Sequence, residues 1–135
     1  MTTDLNRLLL DVTELAREAG RTILEVYASS FTVAEKEDRS PLTEADLRSE
    51  KLILAGLKRL SPEIPVLSEE TGQVPWSKRR DWSRLWVVDP LDGTKEFVQR
   101  NGEFTVNIAL VDHHRAVLGV VHAPVLECTY YACEG

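Results

Sequence analysis

Asp89 and Asp92 stand three residues apart in the run VVDPLDGTKEF, directly behind an apolar stretch. A turn uses Asp or Gly for its backbone angles, but it does not need two carboxylates followed by an ordered Thr-Lys-Glu. Two further acidic clusters lie upstream: the pair Glu69-Glu70 closing PVLSEE, and Asp46 in SPLTEAD. All fall where elements begin or end, which is where sites are commonly built. Several carboxylates with no His among them suit Mg²⁺ better than Zn²⁺, because hard divalent cations want oxygen. Asp89 at a strand end can bridge two ions, Pro90 stiffens the exit, the Leu91 carbonyl can turn toward a metal, and Asp92 supplies the next carboxylate.

Gly93 has no side chain to block a close ligand, and GTKEF reads as the start of a short helix whose free N–H groups attract phosphate. An anion is thereby placed beside the cations. Two metal ions a few ångströms apart activate a water and stabilise the attacking and leaving oxygens of an in-line displacement at phosphorus. Glu69 and Thr94 are the natural holders of that water, and positioning with electrostatics does most of the work. Taken singly, DPLDG reads as a type I turn, SEE as a solvated strand end, Asp46 as a helix cap and Lys36 as a surface cation. It is the conjunction of Glu-Glu at a strand end with Asp-Pro-x-Asp-Gly-Thr that carries specificity.

The elements that must position these residues follow from periodicity. Leu5, Leu8, Leu9, Val12, Leu15, Ala16, Ala19, Ile23 and Val26 recur at helical spacing and predict a long amphipathic first helix. TEAD matches a capping box, with Thr43 at the helix start and Asp46 reaching back. Leu47, Ile53, Leu54, Leu57 and Leu60 then form the apolar face of a second helix that Ser61-Pro62 closes. Short β-like runs follow: IPVL, RLWVVD, FTVNIALV, AVLGVVHA and CTYYA. The links DHHR and APVLE are short enough for hairpins, so the predicted class is α+β, two helices on a mostly antiparallel sheet. TGQVPWSKRRDWS is the one long excursion and is predicted to be a flap over the site. LWVV and AVLGVV are apolar at consecutive positions, as in strands buried on both faces, yet two helices cover only one. That leaves a sheet face for self-association or for a further part of a larger fold.

The 135 residues, 43% hydrophobic, suffice for one domain with a core. A net charge of -6, from 22 acidic and 16 basic residues, argues against a sequence-independent nucleic-acid binder. It leaves room for a small anion held through metal ions. Asp4, Asp11 and Glu14 interrupt the first apolar pattern, so no secretory or membrane-spanning segment is expected there, and the simplest location is cytoplasmic, extended at most to the periphery of the inner membrane. Cys128 and Cys133 are read as reduced thiols on or beside a strand. His113 and His114 belong in a turn and His122 in a strand, and none is assigned as a base. Trp86 is expected to pack in the core, and Trp76 and Trp82 to anchor the excursion.

SEE and DPLDGT resemble the two metal motifs of the inositol monophosphatase-like, Mg²⁺-dependent, lithium-sensitive phosphatases. SPLTEAD upstream and DPLDGTKEF followed by RNGEFTVNIALV are similar, within that group, to bacterial 3′(2′),5′-bisphosphate nucleotidases of the CysQ type. The resemblance covers nearly the whole chain. It implies that Glu69, Asp89, Asp92 and the Leu91 carbonyl bind two or three Mg²⁺ ions, with Asp46 and Glu70 behind them. It implies further that Glu69, Leu91, Asp92, Gly93 and Thr94 contact the substrate and that Glu69 and Thr94 orient the water. The implied reaction removes the 3′-phosphate of adenosine 3′,5′-bisphosphate, a by-product of sulfate activation and sulfotransfer, giving AMP and phosphate. The implied architecture is the first half of the family's layered αβαβα fold. The second half would carry a WDxAAG-like motif with one more aspartate ligand, much of the nucleotide pocket and the helices over the open sheet face.

Overall fold

The first helix forms where the 3.6-residue apolar repeat is longest: α1 spans Leu5–Tyr27. Asp4 caps it, accepting hydrogen bonds from the backbone N–H of Asn6 and Arg7. The computed structural model describes residues 4–28, 41–68, 74–99 and 101–134, with the side chains of 41–43 excepted. The second helix, α2, spans Pro41–Leu60, starting earlier than the TEAD motif suggested. Proline at a first helical position loses no hydrogen bond and has its φ preset, so Pro41 opens the helix. Thr43 is therefore already inside the first turn, and Asp46 sits half-buried beyond it.

Five strands follow in one sheet with the order β1-β2-β3-β4-β5: Val66–Ser68, Arg84–Asp92, Thr105–Asp112, Arg115–Ala123 and Cys128–Cys133. The last three pairings are antiparallel, whereas β1 and β2 run parallel. A parallel pair needs a crossover connection. The excursion TGQVPWSKRRDWS lies within this link between β1 and β2, and its described part carries the short helix α3, Trp76–Arg79. The β3–β4 hairpin turns on His113 and His114, both at positive φ (49° and 68°), as a tight hairpin connection requires. Asp112 at its base accepts from Arg84 Nε at 3.3 Å and lies 2.5 Å from His113 Nδ1.

Both helices lie on one sheet face. Trp86, Val88, Val106, Ile108, Leu110, Leu118 and Val120 point toward them and meet Leu8, Val12, Leu15, Ala19, Ile23, Ile53 and Leu57 in one core. Gly56 of α2 allows the helices to approach, since a Cβ there would stand 2.4 Å from Leu15 Cδ1. The opposite face carries the row Asp89, Asn107, Val121 and Tyr130, and with it Val87. Val87, Val121 and Tyr130 remain 39%, 40% and 68% exposed, the uncovered apolar face expected from consecutive apolar positions. Among the described residues no helix is long and apolar enough to cross a membrane. Cys128 and Cys133 are free thiols on β5, and Cys133 Sγ donates to Asn6 Oδ1 at 3.4 Å.

One polar relay inside the core ties the end of α2 to β2. Trp86 Nε1 donates to Ser61 Oγ at 2.9 Å, and Ser61 Oγ donates in turn to the Leu57 carbonyl at 3.1 Å. Ser61→Ala strands the buried indole N–H, so equilibrium urea unfolding is expected to show a loss of about 1–3 kcal/mol at an unchanged m value. A second expectation concerns pH. His122 is buried on the helix face with Nδ1 2.8 Å from Thr129 Oγ1; burial, then the charges of Arg17 and Arg21, hold its pKa below the ordinary imidazole value of 6.5. The unfolded chain therefore binds the proton more readily, and this contribution to stability is complete above pH 6.5 and is lost as pH falls through the lowered value. Unfolding followed from pH 7.5 to 5 is expected to show a steeper loss for the native sequence than for His122→Gln.

Candidate active site

In an unbroken strand, side chains three residues apart point to opposite faces. Asp89 and Asp92 do not. Asp89 pairs with Asn107 and Asp92 with Thr105, so three steps along β2 match two along β3. The extra residue is a bulge, and it brings the Asp92 carboxylate round to the face that Asp89 shares with Asn107. Asn107 Nδ2 donates to Asp92 Oδ2 at 3.1 Å. Pro90 fits here in a central strand because a bulge is one of the few places where a missing ladder N–H is tolerated. Its carbonyl is not wasted: Ser49 Oγ on α2 donates to it at 2.8 Å, both residues being buried. Leu91 fills the core beneath, 3% exposed.

The chain then leaves β2 through Gly93, whose φ of 103° and ψ of 51° lie in the left-handed region. Gly93 caps the short helix α4, Thr94–Val98, as the run GTKEF suggested. Phe97 of α4 anchors it, its ring centroid 5.4 Å from that of Tyr27 and 5.3 Å from that of Phe104, which themselves stand 5.1 Å apart. This aromatic trio fixes α4 between the end of α1 and the start of β3. Thr94 is exposed at the first turn, immediately after the carboxylate pair.

Parallel pairing of β1 with β2 sends Ser68, the last residue of β1, toward the same end of the sheet. Ser68 Oγ donates to Glu50 Oε2 at 3.0 Å, and both are buried. Ser49 and Glu50 thus lie at the carboxyl ends of β2 and β1, and Asp46 is one helical turn before them on α2. Glu69, Glu70 and Lys36 lie outside the described residues. Among the described residues no three His, Cys, Asp or Glu side chains converge as a metal site, so Asp46 is not joined to Asp89 and Asp92 in one ligand group. What is brought together is Asp89, Leu91, Asp92, Gly93 and Thr94, in that order around the bulge. Two carboxylates with backbone carbonyl oxygen form a donor set that fits a hard divalent cation. Asn107 Oδ1, buried and without a hydrogen-bond partner among the described residues, marks the same spot as one that expects a further polar group.

Ser49, Glu50 and Asn107 were not singled out by the sequence pattern. Ser49 and Glu50 follow Asp46 at helical spacing on what reads as a solvated face. Asn107 interrupts the apolar run of FTVNIALV, which was the available signal.

The model of the inositol monophosphatase family matches residues 4–135. The chain is 55% identical over 130 residues to the 3′(2′),5′-bisphosphate nucleotidase CysQ of Salmonella typhimurium, covering 95% of this chain and 52% of that one. Against the protein of the same name from Escherichia coli K12 the identity is 52%, with the same coverage. The chain thus spans about half the length of the curated relatives it matches. Among solved structures, CysQ from Bacteroides thetaiotaomicron superposes with a TM-score of 0.84 at 46% identity, over 96% of this chain and 46% of that one. Inositol monophosphatase from Anabaena superposes with a TM-score of 0.80 at 28% identity, over 98% and 46%.

The exit from β2 depends on Gly93. A Cβ there would meet the Phe104 Cα at 3.1 Å and the Glu103 carbonyl at 3.2 Å, both backbone, on top of the positive φ. Gly93→Ala is expected to lower stability by about 1–3 kcal/mol in denaturant unfolding, with no relief from side-chain repacking.

Proposed function

The chain belongs to the inositol monophosphatase family, and from that footing we propose that the protein is a Mg²⁺-dependent phosphatase taking the 3′-phosphate from adenosine 3′,5′-bisphosphate and releasing AMP and phosphate. The observation that carries this is the bulge that sets Asp89 and Asp92 on one face directly before Gly93 and Thr94. Relatives at 55% and 52% identity bearing the bisphosphate nucleotidase name support the choice of substrate class.

In this proposal Glu69, Asp89, Asp92 and the Leu91 carbonyl hold two or three Mg²⁺ ions, with Asp46 and Glu70 behind them. Bound Mg²⁺ supplies Lewis-acid charge to the oxygens that become more negative at phosphorus. Leu91, Asp92, Gly93 and Thr94 receive the substrate phosphate, with Glu69 beside them. Glu69 and Thr94 would orient a water whose oxygen forms the new bond to phosphorus as the bond to the 3′ oxygen breaks, with a proton given up by that water balancing the one the 3′ oxygen gains as it leaves as a hydroxyl. An acidic chain, at net charge -6, needs cations between itself and so anionic a substrate. A cytoplasmic location belongs to the same reading, as does self-association through the face bearing Val87, Val121 and Tyr130.

Phosphate release by the full chain from adenosine 3′,5′-bisphosphate, compared with inositol monophosphate, tests the reading. Expected are Mg²⁺-dependent release with preference for the nucleotide and a loss of at least about 100-fold in Asp89→Asn and Asp92→Asn, the scale on which removing one preorganised charge acts. Faster release from the inositol ester would move the protein to another branch of the family. Release that survives both substitutions would remove the metal-site assignment.

A further inference from the structure

Asn107 stands beside both members of the carboxylate pair. It is the cross-strand partner of Asp89, and its Nδ2 donates to Asp92 Oδ2 at 3.1 Å. The assignment of its amide follows from its neighbour: an ionised carboxylate only accepts, so the group facing Asp92 is the NH₂ and the oxygen points elsewhere. That oxygen, Oδ1, is buried and has no hydrogen-bond partner among the described residues. Buried acceptors left unpaired are costly and uncommon, so a native one calls for a physical reason.

The surroundings supply that reason. Asp89 and Asp92 are acceptors when ionised and have no proton to give to Oδ1. Val121, the next residue along the row on β4, has no polar group. Among the described residues no donor meets Oδ1, and a bound ligand is a source of one. A divalent cation held by carboxylates keeps part of its hydration shell, and its waters are strong donors.

We propose that Asn107 is a positioning residue of this site, fixing the Asp92 carboxylate through Nδ2 and offering Oδ1 to the hydration water of the cation that Asp89 and Asp92 take up. The role rests on the metal reading given above. An Asn does both tasks at once because it carries a donor and an acceptor on one planar group, which neither Asp nor Leu of the same size does. Partners of this kind, one bond removed from the metal, typically change affinity by 10- to 100-fold.

Calorimetric Mg²⁺ titration of the full chain, paired with thermal unfolding of the metal-free protein, tests it on the native sequence, Asn107→Ala and Asn107→Ser. Expected is Mg²⁺ affinity about 10-fold weaker in Asn107→Ala, with metal-free stability equal or higher because an unpaired buried oxygen is gone. Asn107→Ser, which keeps a shorter hydroxyl able to give and accept, falls between. It carries the test alone if the Ala variant does not fold. Mg²⁺ uptake as tight as native in the variants overturns the proposal, and so does a loss of metal-free stability with unchanged affinity, which is what a purely structural amide would give. If the native protein itself takes up no Mg²⁺, the metal reading fails first and this inference falls with it.

Discussion

A single surplus residue in β2 is the constraint on which the site hangs. Without it, Asp89 and Asp92 would face opposite sides of the sheet, one toward the helices and one toward solvent. A bulge disrupts the ladder locally, here against β3, so support from outside the ladder helps to hold it. The hydroxyl of Ser49 does this from α2, donating to the Pro90 carbonyl, while Leu91 is driven into the core. The arrangement explains why α2 is polar where it meets the sheet end and apolar further along. Ser49 and Glu50 reach Pro90 and Ser68, whereas Ile53 and Leu57 serve the core.

The parallel pairing of β1 with β2 has the same consequence from the other side. Carboxyl ends of adjacent parallel strands open into one crevice, the usual place for ligands in sheets with crossover connections. Ser68, buried against Glu50, is the last described residue before Glu69, so the strand that leads to Glu69 ends beside the bulge. The antiparallel remainder of the sheet has a different task. It presents α1 with a broad apolar surface and leaves the other face, including the row from Asp89 to Tyr130, uncovered by either helix.

Much of this was legible because it is written in periodicity. The first helix, the five β-like runs, the His113-His114 turn and the short helix after Gly93 each follow from local pattern, and local pattern is what a sequence displays directly. The start of α2 was misplaced because a capping box and a proline at the first helical position compete, and Pro41 prevails. The parallel pairing of β1 with β2 is a non-local fact, and nothing in TGQVPWSKRRDWS states that the strands on either side become neighbours. Asp89 and Asp92 could be named from residue type, yet the bulge that makes them neighbours is visible only in the pairing with Asn107 and Thr105. Ser49, Glu50 and Asn107 escaped for the same reason, since their partners are 41, 18 and 15 residues away in sequence.

The carboxylates gathered at the sheet end also bear on how the site is held when no cation is present. Like charges on one face repel, and the Asn107 amide on Asp92 answers part of that repulsion. A cation that binds the folded chain and not the unfolded one adds stability in proportion to the logarithm of its concentration over its dissociation constant. The bulge, the left-handed Gly93 and the aromatic trio around Phe97 are then the features that keep the pair assembled beforehand. They meet the cost of holding charge together through packing elsewhere, in the core under Leu91 and Trp86. Preorganisation of this kind is what lets binding free energy appear as affinity rather than being consumed in ordering the ligands.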